Sequence, residues 1–192
     1  VNMMKLVTEK NQILKEVCAP FDFENPIVDQ EELITNLQAI RQEKAGLGLS
    51  APQLGINSRV FVIGLSDMTV EGAEDYAKAF FNPQIFWDQT TNTYPDNELT
   101  YMVEGCLSYP GMFLKIKRPN HIIMEWYTEE GEREVDEFSG MTSRILQHEI
   151  DHLNGVTFDK KASTYHLQQA RRKLKAQLRA RKRFELIKKR GY

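Results

Sequence analysis

The stretch Gln147-His148-Glu149-Ile150-Asp151-His152 constrains this chain more than any other. Residues four apart stack on one face of a helix. On a helix, His148 and His152 therefore offer two imidazoles to one metal ion, with Glu149 placed to act on a water held there. The competing reading is a pair of surface histidines on an amphipathic helix. Residue usage favours the metal: the chain has only four histidines, and two of them fall at this spacing.

Such a site needs a third protein ligand. The sequence continues through Gly155 along an extended metal-site spacing, but Phe158 stands where a third histidine would be needed. The only acid after Asp159 is Glu185, inside a strongly basic run. The missing ligand is therefore expected upstream. Cys106 lies in the turn-rich stretch Glu104-Gly105-Cys106-Leu107-Ser108-Tyr109-Pro110-Gly111. A buried cysteine packing as a small hydrophobe is the alternative there. Two histidines and one cysteine leave a fourth position open, which is the catalytic rather than the structural arrangement. A thiolate with two imidazoles suits zinc, ferrous iron, cobalt or nickel.

With 192 residues the chain holds one domain, or one domain and an appendage. Two cysteines argue against a secreted disulfide scaffold and for a reducing compartment such as the cytoplasm. No apolar run approaches transmembrane length, so no membrane partner is expected. The net charge of −2 hides a division: residues from Lys160 onward carry 13 Lys/Arg against one acid, leaving −14 on the preceding 159 residues. The reading is a catalytic domain over 1–162 and a basic C-terminal helix or tail over 163–192 that meets something anionic.

Along the chain, residues 3–28 are expected to be loops around a short element. Asp29 should cap a helix carrying Leu33, Ile34, Leu37 and Ile40 and ending at Gly46. The run Gly46-Leu47-Gly48-Leu49-Ser50-Ala51-Pro52-Gln53-Leu54-Gly55 formally fits a dinucleotide fingerprint. It follows a helix and runs into Pro52, so its glycines are better read as letting bare backbone approach a ligand. Residues 59–65 read as a strand, 66–78 as an exposed loop or short helix, 79–87 as an edge strand because of Pro83, and 88–100 as turn-forming. Residues 112–118, 121–127 and 132–138 suggest an antiparallel meander. His121 reads as a surface or packing residue. The metal helix should begin near Gly140, place Met141, Ile145, His148 and His152 on one face, and stop at Gly155. A second long helix from about Ser163 should dock through Leu167, Ala170, Leu174 and Leu178, with residues 179–190 projecting or disordered when unbound.

Three motifs now stand in order: Gly46-x-Gly48-x-x-Ala51-x-Gln53, Glu104-Gly105-Cys106-Leu107-Ser108, and Gln147-His148-Glu149-x-x-His152. Together the trio closely resembles the peptide deformylases. Ser50 stands where that family usually has alanine, the 66–100 segment is longer than common, and a His-Pro-Asp opening is lacking. The resemblance implies an α+β fold with mixed or antiparallel sheets wrapped around a central metal-binding helix, plus a C-terminal helix. It implies hydrolysis of the formyl group from the N-terminal formyl-methionine of nascent chains, releasing formate. Water activated by one divalent metal on Cys106, His148 and His152 would attack, with Fe(2+) expected natively and Zn(2+), Ni(2+) or Co(2+) as replacements. Glu149 would serve as general base and acid, and Gln53 and the Leu107 backbone N–H as oxyanion donors. Gly48 would pair its backbone with the substrate, while Leu47 and Ile145 would line the methionine pocket. The resemblance also implies that the basic tail docks on the ribosome. A Glu104–Arg118 ion pair is expected to brace the Cys106 loop.

Overall fold

Residues 4–64, 77–86 and 98–189 are described by a computed structural model of the chain. Asp29 caps the first helix, α1 (Gln30–Glu43), its carboxylate accepting from the Glu32 N–H at 3.0 Å. Leu33 and Leu37 are fully buried beneath α1, where trimming either to alanine costs about 2–5 kcal/mol. The helix stops earlier than Gly46: Lys44 caps it, and Ala45 takes the positive φ of 52°.

Strands β1 (Gly48–Ser50), β2 (Val60–Gly64), β3 (Ala77–Phe86), β6 (His121–Tyr127) and β7 (Arg133–Ser139) form one antiparallel sheet in the order β1-β2-β3-β6-β7. Strands β4 (Leu99–Gly105) and β5 (Phe113–Pro119) make a separate two-stranded sheet. Strand β2 is buried throughout, so its hydrophobic residues run continuously instead of alternating with polar ones. Val60 and Val62 face α1 with Leu33, Leu37, Leu49 and Phe81. Phe61 and Ile63 face the other way, joining Phe80, Ile122, Met124 and Trp126 around helix α2 (Gly140–Leu153). Leu146, Ile150 and Leu153 fill that core from α2. The metal-motif helix thus lies in the centre, touching both sheets, as expected. Gly155 follows its end at φ 67°, and a Cβ there would meet the Lys15 carbonyl oxygen at 2.7 Å.

Three local expectations need correction. β3 starts at Ala77 and is an interior strand, paired with both β2 and β6, instead of an edge. Pro83 fits there because the register shifts between Phe81 and Gln84, a bulge with Asn82 at φ 49°, where no ladder donor is needed. The 112–138 region is not one meander: β5 pairs with β4, and β6 crosses to the larger sheet after Pro119 and Asn120. The end of the segment read as turn-forming is strand β4, while residues 65–76 and 87–97, holding the rest of both inferred loops, lie outside the described residues.

The third helix, α3 (Thr164–Lys189), packs Leu167, Ala170 and Leu174 on Leu114, Ile116 and Phe158. Docking ends one turn earlier than expected, because Leu178 is half exposed. The basic remainder continues as an exposed helix. No described helix is long and apolar enough to cross a membrane.

Candidate metal centre

Three elements converge beside α2. The helix supplies His148, Glu149 and His152, all buried. The turn after β4 supplies Cys106, fixed by the Tyr109 N–H donating to the Cys106 carbonyl at 2.9 Å. A 3-10 turn at Ala51–Leu54 follows β1 and buries Gln53. Sequence-distant Cys106 thereby meets the two histidines: one ligand atom from each of the three lies within 4.8 Å of the others. The Cys106 Sγ is 3.3 Å from His152 Nε2. His148 Nδ1 is 3.0 Å from Glu104 Oε2, which leaves its other nitrogen for the sulfur side. His121 lies elsewhere, 3.5 Å from Glu137 on a strand.

The donor set fits a cation. One soft thiolate and two imidazoles match a three-ligand site with an open position. Burial first, then the neighbouring His148 charge, holds His152 well below its ordinary value, keeping it in the neutral form that ligates. Burial pulls His148 down, but its bonds to Cys106 and Glu104 outweigh this and push it up to about 10. Two further buried atoms, Glu149 Oε2 and His152 Nδ1, have no hydrogen-bond partner.

Glu149 lies tight against the first glycine of β1: a Cβ on Gly48 would come within 2.5 Å of Glu149 Oε1. Burial pushes the Glu149 carboxyl up to about 7, against the opposing pull of His148 and the Ser50 hydroxyl. Gln53 is oriented from behind. Its Oε1 accepts from the Ser50 N–H at 3.0 Å and from the Ser50 hydroxyl at 2.9 Å. Its Nε2 therefore faces the cleft, 3.6 Å from Cys106 Sγ and 3.2 Å from Ser108 Oγ.

The expected Glu104–Arg118 pair is present and larger than anticipated. Arg118 donates to Glu104 through Nε at 2.7 Å and Nη2 at 2.9 Å, and to Asp151 at 2.7 Å. Arg144 adds a third bond to Glu104 at 2.7 Å. Burial works to raise Glu104, but its contacts with His148 and Arg118 hold it well below the usual carboxylate range. Arg144 and Asp151 were not expected here. Arg144 sits four residues before His148, on its helical face, which is the only local signal that pointed to it.

A cleft of about 660 Å³ opens over this cluster, lined by Leu47, Gly48, Gln53, Cys106, Leu107 and Ile145 among others. It therefore gathers all the residues expected for substrate and oxyanion, as well as His148 and Glu149. A second cavity of about 730 Å³ is lined by none of the three candidate ligands, so the chemistry selects the cleft over Cys106 and His148.

Residues 3–168 match the family described as polypeptide deformylase. The chain is 39% identical over 129 residues to a peptide deformylase of Prosthecochloris aestuarii, covering 67% of this chain and 64% of the relative, just under two thirds. It is 33% identical over 156 residues to one of Karelsulcia muelleri, covering 81% of this chain and 76% of the relative. The crystal structure of peptide deformylase from Plasmodium falciparum superposes with a TM-score of 0.75 at 30% identity, covering 93% of this chain and 97% of that one. On this shared sequence and shared fold, the chain belongs to the peptide deformylase family.

Proposed function

We propose that the chain hydrolyses the formyl group from the N-terminal formyl-methionine of nascent polypeptides, releasing formate. The observation that carries this is the meeting of Cys106, His148 and His152 beside a cleft lined by Cys106, His148 and Glu149, where one buried Glu149 oxygen has no partner. These three residues would hold one divalent ion, which when bound supplies Lewis acidity and makes water a nucleophile near neutral pH. Iron(II) is the native metal in this reading, with zinc, nickel or cobalt able to replace it.

The chain's own groups do the rest. Glu149, with its carboxyl near neutrality, takes the proton from the attacking water and delivers it to the departing amine nitrogen. The Gln53 amide, locked by Ser50, donates to the oxygen on which negative charge develops, and the Leu107 backbone N–H is its partner. Losing one such donor costs about 3–4 kcal/mol of barrier. The substrate's backbone is seated along Gly48, and its methionine side chain fills the space between Leu47 and Ile145. Glu104 fixes the ring of His148 through Nδ1.

The catalytic unit spans 1–162 and works in the cytoplasm, and the basic helix from 163 docks it on the ribosome. Along α3 the cations greatly outnumber acids, and the one intrahelical ion pair found there, Arg181–Glu185, leaves most of them for phosphate. Formate release from formyl-Met-Ala by metal-loaded protein tests the activity. Cleavage of unblocked peptides with no formate release would instead indicate a general peptidase.

A further inference from the structure

We infer that the solvent-facing side of the β4–β5 hairpin is a second substrate-reading surface, which receives the formylated chain beyond its first residue and favours acidic side chains there. This rests on the deformylase reading above.

The hairpin alternates cleanly. Its inward side chains include Glu104, Leu114, Ile116 and Arg118, all buried. Its outward side chains are Leu99, Tyr101 and Val103 on β4, and Phe113, Lys115 and Lys117 on β5. A solvated sheet face is ordinarily polar. Here Tyr101 is 54% exposed, and Val103 and Phe113 are each 65% exposed. The polar groups that do stand among them are both cationic. No carboxylate among the described residues pairs with Lys115 or Lys117. Both ammonium groups instead lie 5.5 Å from the Tyr101 ring centre, drawn across onto β4. They form a positive island on a body that carries −14 over its first 159 residues.

The position of this face gives it an occupant. Val103, Gly105 and Phe113 belong both to the hairpin and to the wall of the catalytic cleft. The surface therefore begins where the substrate's first residue is held and runs away from it towards Leu99. Among the described residues β4 pairs only with β5, so its other edge takes no strand, and the Thr100 carbonyl accepts from Arg144 at 2.8 Å. An extended peptide leaving the cleft along that edge advances about 3.3 Å per residue, with alternate side chains on the outward face. Lys115 lies opposite Val103 and Lys117 opposite Tyr101, so the two cations are spaced two residues apart along the peptide's path. Lys115 and Lys117 stand on β5, two strand spacings of about 4.8 Å each from such a peptide, and their side chains already cross onto β4 at Tyr101, leaving about one spacing to span. The methionine side chain points inward to Ile145, so the second and fourth residues point outward, and carboxylates there would meet these ammoniums over the Tyr101 ring.

Formyl-Met-Asp-Ala-Asp-Ser and its Lys-for-Asp counterpart, assayed for formate at low salt, test this. The acidic peptide should show kcat/KM about fivefold higher, as two exposed charge pairs allow. The preference should shrink at high salt. The double variant Lys115→Glu/Lys117→Glu should reverse the preference while hydrolysing formyl-Met-Ala at the parent rate. Should that variant fold poorly, Lys115→Gln/Lys117→Gln should abolish the preference instead. Equal rates for both peptides, or a preference that survives both variants, would overturn the inference. So would lost ribosome affinity in the variants with peptide preference intact, since that outcome assigns the face to RNA. Failure of the wild type on formyl-Met-Ala itself would sink the deformylase reading first.

Discussion

Replacing Glu104 by glutamine tests how the buried charge network supports the metal site. Glu104 is 7% exposed and accepts from Arg118, Arg144 and His148. The glutamine keeps the volume and removes the charge. Arg118 retains Asp151 at 2.7 Å, but Arg144 is left with only the Ile116 and Thr100 oxygens as partners. A buried cation stripped of its carboxylate costs about 3–5 kcal/mol. His148 also loses the acceptor that fixes its ring, and loss of such a support weakens metal binding by about 10–100-fold. Denaturant unfolding of chelator-treated protein isolates the first effect, and a competitive metal titration reads the second. The sign with pH follows from the depressed Glu104 carboxyl: its contribution is full above the ordinary value of 4.5 and is lost as pH falls below it. The gap between wild type and variant should therefore narrow in acid. A stability change under about 1 kcal/mol with metal affinity unchanged would refute the reasoning. Swapping the charges of Glu104 and Arg118 together should leave more activity than reversing either alone.

Three other perturbations have definite expectations. Gly48→Ala places a methyl 2.5 Å from Glu149 Oε1, so formate release should collapse while α2 stays folded by circular dichroism; near-normal turnover would count against the tight seat of Glu149. In metal-free protein the Glu149 carboxyl rises from 4.5 to about 7, so stability present below 4.5 is lost as pH rises through 7. Glu149→Gln should therefore abolish turnover yet stabilise the metal-free fold above neutrality by about 3 kcal/mol, with no gain in acid, as read by thermal melts. Deleting residues 179–192 should remove salt-sensitive ribosome binding and spare formyl-Met-Ala hydrolysis; unchanged ribosome affinity would remove the docking role.

The parts of this fold that were legible in the sequence are those written in local periodicity. The four-residue spacing of His148 and His152 defines a helix and a face whether or not the partners are known, and Asp29 marks the start of α1 by side-chain chemistry alone. Cys106 was reachable by elimination, since Phe158 and the basic tail exclude a downstream ligand. What escaped depends on tertiary pairing. Pro83 signals an edge only if every residue of the strand must donate, and the bulge at Asn82 lifts that demand. β4 alternates Tyr101, Val103 and Gly105 outward with Met102 and Glu104 inward, but its outward apolar residues masked the two-residue period. Local sequence does not say what Arg144 and Asp151 pair with, and Glu104 and Arg118, arriving from β4 and β5, make them buried partners.

The central claim is that one sulfur and two imidazole nitrogens share a cation, and X-ray absorption at the metal edge of anaerobically loaded protein measures it most directly. The account predicts one sulfur scatterer at about 2.3 Å and two nitrogen scatterers at about 2.0–2.1 Å, with the sulfur shell lost in Cys106→Ser. A metal shell of nitrogen and oxygen alone in the wild type would contradict it.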